Sequence, residues 1–153
     1  MKLKIYFGGA ISAGRERQPL YAEMVQFLES LGAEVLSAHV ARPDVMEGEK
    51  KIPAEEIFRR DIACLENCHG MVAEVSTPSL GVGFEIATAL QLERPVLCLC
   101  EQGIFLSRML TGNPHPQLQV RFYRDTAEWR EALQAFCAQV QSAQTLPRVS
   151  EGK

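Results

Sequence analysis

Leu3-Lys4-Ile5-Tyr6-Phe7-Gly8-Gly9 is a short apolar, β-prone run that breaks into two glycines, as a buried strand does on entering a tight turn. Beyond it, Leu20, Met24, Val25, Leu28 and Leu31 fall on one helical stripe that Gly32 ends. The order is strand, glycine loop, helix, and it repeats. Residues 34–36, 71–75, 96–99 and 119–123 are the next candidate strands, separated by helical segments. One helix opens at Pro53 and runs to Asn67 with Ile57, Ile62 and Leu65 on its apolar side. A last helix begins near Asp125, expected to form a capping box with Glu128, and continues through Trp129, Leu133, Phe136 and Val140. Such alternation implies right-handed βαβ crossovers, and hence a single Rossmann-like α/β domain with a mostly parallel five-stranded sheet flanked by helices.

Residues 1–144 are expected to form that domain and 145–153 a flexible C-terminal tail. Residues 38–52 read as a long polar connection, able to serve as a lid or a mobile loop. The 153 residues, 46% hydrophobic and 23% charged, suit one ordinary globular core. A net charge of −3 offers no basic footprint for a nucleic acid polymer, and no stretch approaches the ~18 apolar residues of a membrane span. Five cysteines, an odd number, argue against a disulfide framework and for a reducing cytoplasm.

In an open parallel sheet the chemistry belongs in the loops that follow the carboxyl ends of the strands. The first, Gly8 to Arg15, is rich in residues that let backbone N–H groups approach an anion, with Ser12 and Arg15 as added donors. Arg15-Glu16 stands where a P-loop needs Lys-Ser/Thr, so a nucleoside triphosphate is not expected. The same loop can also be a simple turn. The second, Ser76-Thr77-Pro78-Ser79-Leu80-Gly81-Val82-Gly83-Phe84-Glu85, starts like a dinucleotide fingerprint but has Ile86 in place of the third glycine. It ends in a carboxylate. Glu85 is expected at a helix N-terminus, either serving only the dipole or kept ionised by it for chemistry. Asp61 stands four residues from both Ile57 and Leu65, a charge beside an apolar stripe that is paired with Arg59, Arg60 or another helix, or else used. Two acidic groups in one pocket suit cleavage of a sugar bond, one attacking the anomeric carbon while the other handles the proton. Cys64, Cys68 and His69 lack the second ligand pair of a zinc finger, and no metal or other cofactor is expected. Glu74 reads as a cap on a neighbouring loop, and His39 as a residue able to line the pocket.

Tyr6-Phe7-Gly8-Gly9-Ala10-Ile11, Arg60-Asp61-Ile62, Val72-Ala73-Glu74-Val75 and Pro78-Ser79-Leu80-Gly81-Val82-Gly83-Phe84-Glu85 together resemble the 2′-deoxynucleoside 5′-phosphate N-hydrolases of the nucleoside 2-deoxyribosyltransferase superfamily. The resemblance implies hydrolysis of the N-glycosidic bond of a deoxynucleoside monophosphate, a small-molecule substrate, to free base and 2-deoxyribose 5-phosphate. It makes Glu85 the nucleophile, Asp61 the acid and Tyr6 the hydroxyl that orients Glu85. It places Gly9, Ile11, Ser12, His39, Ser79 and Gly81 around substrate and phosphate, and implies a homodimer in which Ser107 is contributed by the neighbouring subunit. The first loop departs from the family: Gly9-Ala10-Ile11-Ser12 stands where Gly-Ser-Ile-Arg is typical, losing a hydroxyl and a cation, and Arg15 is the residue expected to reach the phosphate instead. Transfer of the sugar to a second base, and nucleotide binding without turnover, are the alternative readings.

Overall fold

A computed structural model describes residues 1–11 and 16–146. In chain order the elements are β1 (Lys4–Gly8), α1 (Gln18–Ser30), β2 (Glu34–Val35), a 3₁₀ turn (Ala38–Ala41), α2 (Val45–Lys50), α3 (Ala54–Asn67), β3 (Gly70–Glu74), α4 (Leu80–Gln91), β4 (Val96–Glu101), α5 (Arg108–Thr111), β5 (Leu118–Tyr123) and α6 (Thr126–Thr145). All five strands lie parallel in the order β2-β1-β3-β4-β5. The order reverses between β1 and β3, the switch point at which a doubly wound sheet opens a crevice at its carboxyl ends. Among the described residues no helix is long and apolar enough to cross a membrane.

Alternation along the strands sends side chains to two separate cores. Ile5, Phe7, Val72, Leu97 and Leu99 pack with Tyr21, Met24 and Leu28 of α1 and Trp129, Leu133 and Phe136 of α6. Tyr6, Met71, Ala73, Cys98 and Cys100 face the opposite way, onto Leu65 of α3 and Val82, Ile86 and Ala89 of α4. The central strands are therefore covered on both sides, which is why their sequences are nearly continuous apolar runs. Tyr6 is polar at one end only, and the alternation aims that end toward α3 and α4.

The helix ends follow local chemistry. Gly32, at φ +88, closes α1 in a Schellman turn, with Ala33 N–H donating to Leu28 O at 3.2 Å and Gly32 N–H to Glu29 O at 2.9 Å. At α6, Asp125 accepts from Glu128 N–H at 2.9 Å, but the capping box is not completed as expected. Glu128 accepts instead from Arg124, from its backbone N–H at 2.7 Å and its guanidinium at 2.6 Å, because that cation is within reach. Helix α6 continues through Thr145, one residue past the expected domain boundary, and residues 147–153 lie outside those described. The connection 38–52 is more ordered than a polar loop. Buried Val40 and Val45 pin its 3₁₀ turn and α2 to the body, and Gln18 of α1 donates to Ala41 O. A further short helix, α5, has no counterpart in the sequence reading.

The loop after β1 is fixed from below. Tyr21 is fully buried, its hydroxyl accepts from Ala10 N–H at 3.1 Å, and a Cβ on Gly9 would stand 2.8 Å from its ring. Glycine is needed here for close approach. Gly9→Ala is expected to cost about 1–3 kcal/mol by overpacking, read as a lower denaturation midpoint with an unchanged m-value; a wild-type midpoint would mean that the Tyr21 ring moves aside freely.

Candidate active site

Ser79 sets where Glu85 falls. Its backbone is extended (φ −147, ψ 123) and its Oγ accepts from Val82 N–H at 3.3 Å, so α4 begins at Leu80. Glu85 is thus in the second turn and not at the helix N-terminus as expected, beyond the reach of most of the dipole. Nor is it held in its ionised form. Burial pushes the carboxyl up to about 7, with Asp61 and Glu49 adding to the rise, while a hydrogen bond from Tyr6 and the charge of Arg60 oppose it. One carboxylate oxygen lies 3.3 Å from where a Cβ on Gly8 would be. Because Gly8 is paired in register with Ala73, Glu85 stands over the switch point between β1 and β3. The Tyr6 hydroxyl donates to it, and burial first, then the charges of Glu85 and Asp61, raise the phenol so that it keeps its proton.

Asp61 reaches the same cluster from α3. Its Oδ1 accepts from Arg60 Nε at 2.8 Å, the ion pair that the sequence left open, and Arg60 Nη2 donates to Glu49 of α2, also at 2.8 Å. His39, in the 3₁₀ turn, has Nε2 3.6 Å from Glu49. Burial first, and then Arg60, push His39 down, so it is neutral near pH 7. Glu49 was not singled out as a site residue. The only signal for it was an acidic residue in a connection long enough to fold back.

The remaining candidates are more scattered. Gly9 packs against Tyr21, and Ile11 lies partly against the core on the α1 side. Ser12 and Arg15 lie outside the described residues. Ser79 and Ser107 line one apolar groove of about 580 Å³ on the flank of α4, with Val82, Ile86 and Met109. Glu85 is not among its lining residues. Ser107 caps α5, accepting from Met109 N–H at 3.2 Å, and Gly81 sits in the first turn of α4. Cys64, Cys68 and His69 point to different partners: Leu36 O, Leu65 O and Lys4 N–H.

Glu74, at the end of β3, is fully buried and does cap the following loop. It accepts from Ser76 N–H at 2.7 Å, Ser76 Oγ at 2.9 Å and Tyr123 Oη at 2.5 Å, while Ser76 Oγ accepts from Glu101 N–H at 2.8 Å. Burial raises this carboxyl, and the donors offset part of the rise. The network ties the start of the loop that leads to Ser79 to the ends of β4 and β5.

The pattern matches the nucleoside 2-deoxyribosyltransferase family over residues 5–111. The chain belongs to that family. It is 41% identical over 132 residues to a protein of Methanosarcina mazei provisionally named 2′-deoxynucleoside 5′-phosphate N-hydrolase 1, covering 86% of this chain and 82% of the relative. With the mouse 5-hydroxymethyl-dUMP N-hydrolase, the deoxyribosyltransferase-family chain shares 42% identity over 112 residues, covering 71% of this chain and 64% of that protein. Its fold matches the CMP N-glycosidase BcmB of Clostridium botulinum with a TM-score of 0.66 at 17% identity, over 87% of this chain and 98% of the other.

A carboxyl raised from an unfolded value near 4.3 to about 7 favours the fold most when neutral, so its contribution is complete below about pH 4 and is lost as pH rises through 7. Glu85→Gln is therefore expected to exceed wild type in stability at pH 8, by on the order of 2 kcal/mol, and to lose that advantage toward pH 4. Denaturation of both proteins across this range measures it, and equal stability at pH 8 would mean that the carboxylate is solvated.

Proposed function

We propose that the chain is an N-glycosidase that hydrolyses 2′-deoxynucleoside 5′-monophosphates to a free base and 2-deoxyribose 5-phosphate through a covalent ester on Glu85. The observation that carries the proposal is a half-buried carboxylate above the sheet's switch point, bonded to a tyrosine hydroxyl and flanked by a second carboxylate. The names of the Methanosarcina and mouse relatives support the same reaction.

Glu85, as the carboxylate, attacks C1′ as the bond from C1′ to the base nitrogen breaks, and the leaving base takes up a proton from solvent relayed through Asp61. Water then attacks C1′, passes its proton to Asp61 and so back to solvent, and releases Glu85 as a carboxylate. Two displacements retain the configuration at C1′. Tyr6 holds the nucleophile's oxygen in line, and its bulk beside C2′ disfavours a 2′-hydroxyl. Ser79 keeps its hydroxyl hydrogen free after accepting from Val82, and with Gly81 it opens a helix whose N–H groups favour an anion. The reading assigns Gly9, Ile11, Ser12 and Arg15 of the first loop to phosphate binding and His39 to the substrate pocket.

The reading includes a homodimer in which Ser107 of each subunit reaches the other's phosphate. Leu80, Phe105 and Met109, 97%, 80% and 79% exposed beside the groove that holds Ser107, support such a contact. A reducing, cytoplasmic setting is supported by five free cysteines.

Chromatography of free base from deoxynucleoside monophosphates, unphosphorylated deoxynucleosides and ribonucleotides tests the reaction, with Glu85→Ala alongside. Release confined to deoxynucleotides and abolished in the variant is expected. Release surviving in Glu85→Ala would remove the ester, and a new nucleoside formed on adding a second base would make the enzyme a transferase. Light scattering that gave a 17.0 kDa monomer would exclude the shared phosphate site.

A further inference from the structure

Arg60 and Asp61 are neighbours on α3, and adjacent residues of a helix point about 100° apart, so they do not meet unless something draws them together. Here they do meet, at 2.8 Å from Nε to Oδ1. The guanidinium donates from a second nitrogen at the same time, Nη2 to Glu49 at 2.8 Å. Two contacts from different nitrogens of a rigid plane fix its position and its tilt, which an ammonium group could not do. None of the three is a surface pair: the side chains of Glu49, Asp61 and Arg60 are 17%, 19% and 33% exposed. Glu49 comes from α2, whose Val45 is buried, and the same Oε1 that accepts from Arg60 lies 3.6 Å from His39 Nε2.

We propose that Glu49 and Arg60 are positioning residues of this site: Glu49 draws Arg60 across α3, and Arg60 holds the Asp61 carboxylate in one orientation beside Glu85. The inference rests on the reaction proposed above for Glu85 and Asp61. The titratable and charged groups that face Glu85 are Tyr6 from β1, Glu49 from α2, and Arg60 and Asp61 from α3. His39 faces Glu49 from the 3₁₀ turn, and Cys64 of α3 stands beside Tyr6 and Asp61. Within this set Arg60 is the one cation among three carboxylates. Without Glu49 the guanidinium is free to swing into solvent, and Asp61 loses the contact that orients it.

The test uses the intact protein in two readouts. Carbon-13 NMR of labelled carboxylates follows the titration of Glu85 with no substrate present. R60M removes the positive neighbour and is expected to move the midpoint up by roughly half a pH unit, whereas E49Q removes a negative neighbour and releases Arg60 at once, so its two effects on the midpoint oppose each other and it is read by turnover. In turnover of a deoxynucleoside monophosphate, E49Q is expected to lower kcat roughly tenfold, with KM within about twofold. R60K keeps the charge but not the paired contacts of a rigid plane, so its Glu85 midpoint stays near wild type while its kcat stays low. A merely structural role would lower the melting temperature and leave the Glu85 midpoint in place. An unmoved midpoint in R60M, or a wild-type kcat in E49Q or R60K, overturns the proposal. Failure of the wild-type protein to release base from any nucleotide counts against the reaction itself, and the substrate-free titration then decides the ion-pair chain on its own.

Discussion

Glu85 can stand over the end of β1 only because Gly8 has no side chain there. A methyl group would meet Met71 Cε at 3.0 Å and the Glu85 carboxylate at 3.3 Å, both tighter than ordinary contact. The close approach of α4 to β1 therefore depends on one absent carbon. From it follow the place of Glu85 at the switch point, the hydrogen bond from Tyr6 beneath it, and the burial that gives its carboxyl an affinity for protons near neutrality. The Ser79 cap sets the phase of the helix, and Gly8 sets how near that helix comes.

The electrostatics show the cost of this arrangement. Glu49 and Asp61 pair with Arg60, whose charge also acts on Glu85, and His39 carries no charge near pH 7 to assist it. Desolvation is the largest influence on Glu85, and like charges add to it. A carboxylate so placed is a better nucleophile than a hydrated one and a less stable part of the fold, a common compromise where a site is built for reaction.

Much of the architecture was legible in the sequence because each signal was local. Apolar runs closed by Gly or a polar residue marked the strands, Gly32 marked a helix end, and the alternation of elements required a parallel sheet. The first turn of α4 was misplaced because Gly81 and Gly83 are poor helix formers and made the loop look longer than it is. Ser79 preceding an apolar run was the correcting signal, since a capping residue marks a helix start more directly than the glycines argue against one. Asp61 stood out as a charge beside an apolar stripe, and its partner could be narrowed to neighbouring arginines. The role of Glu49 was not legible, since it depends on where a connection anchored by Val40 and Val45 lands in three dimensions. Tyr21 was likewise not singled out, and its support of the first loop appears only once α1 is packed beneath β1.

The buried carboxylate of Glu74 has a consequence for how the family can diverge. Its oxygens are met by Ser76 and Tyr123, residues far apart in the chain, and Ser76 in turn receives the Glu101 amide. Replacing Tyr123 with phenylalanine leaves an acid short of a donor in a dry interior, and replacing Glu74 with an apolar residue leaves two hydroxyls and an amide short of an acceptor. Neither half-change is neutral. Positions 74, 76 and 123 are therefore energetically coupled, and a change at one of them is expected to cost more alone than when the others change with it.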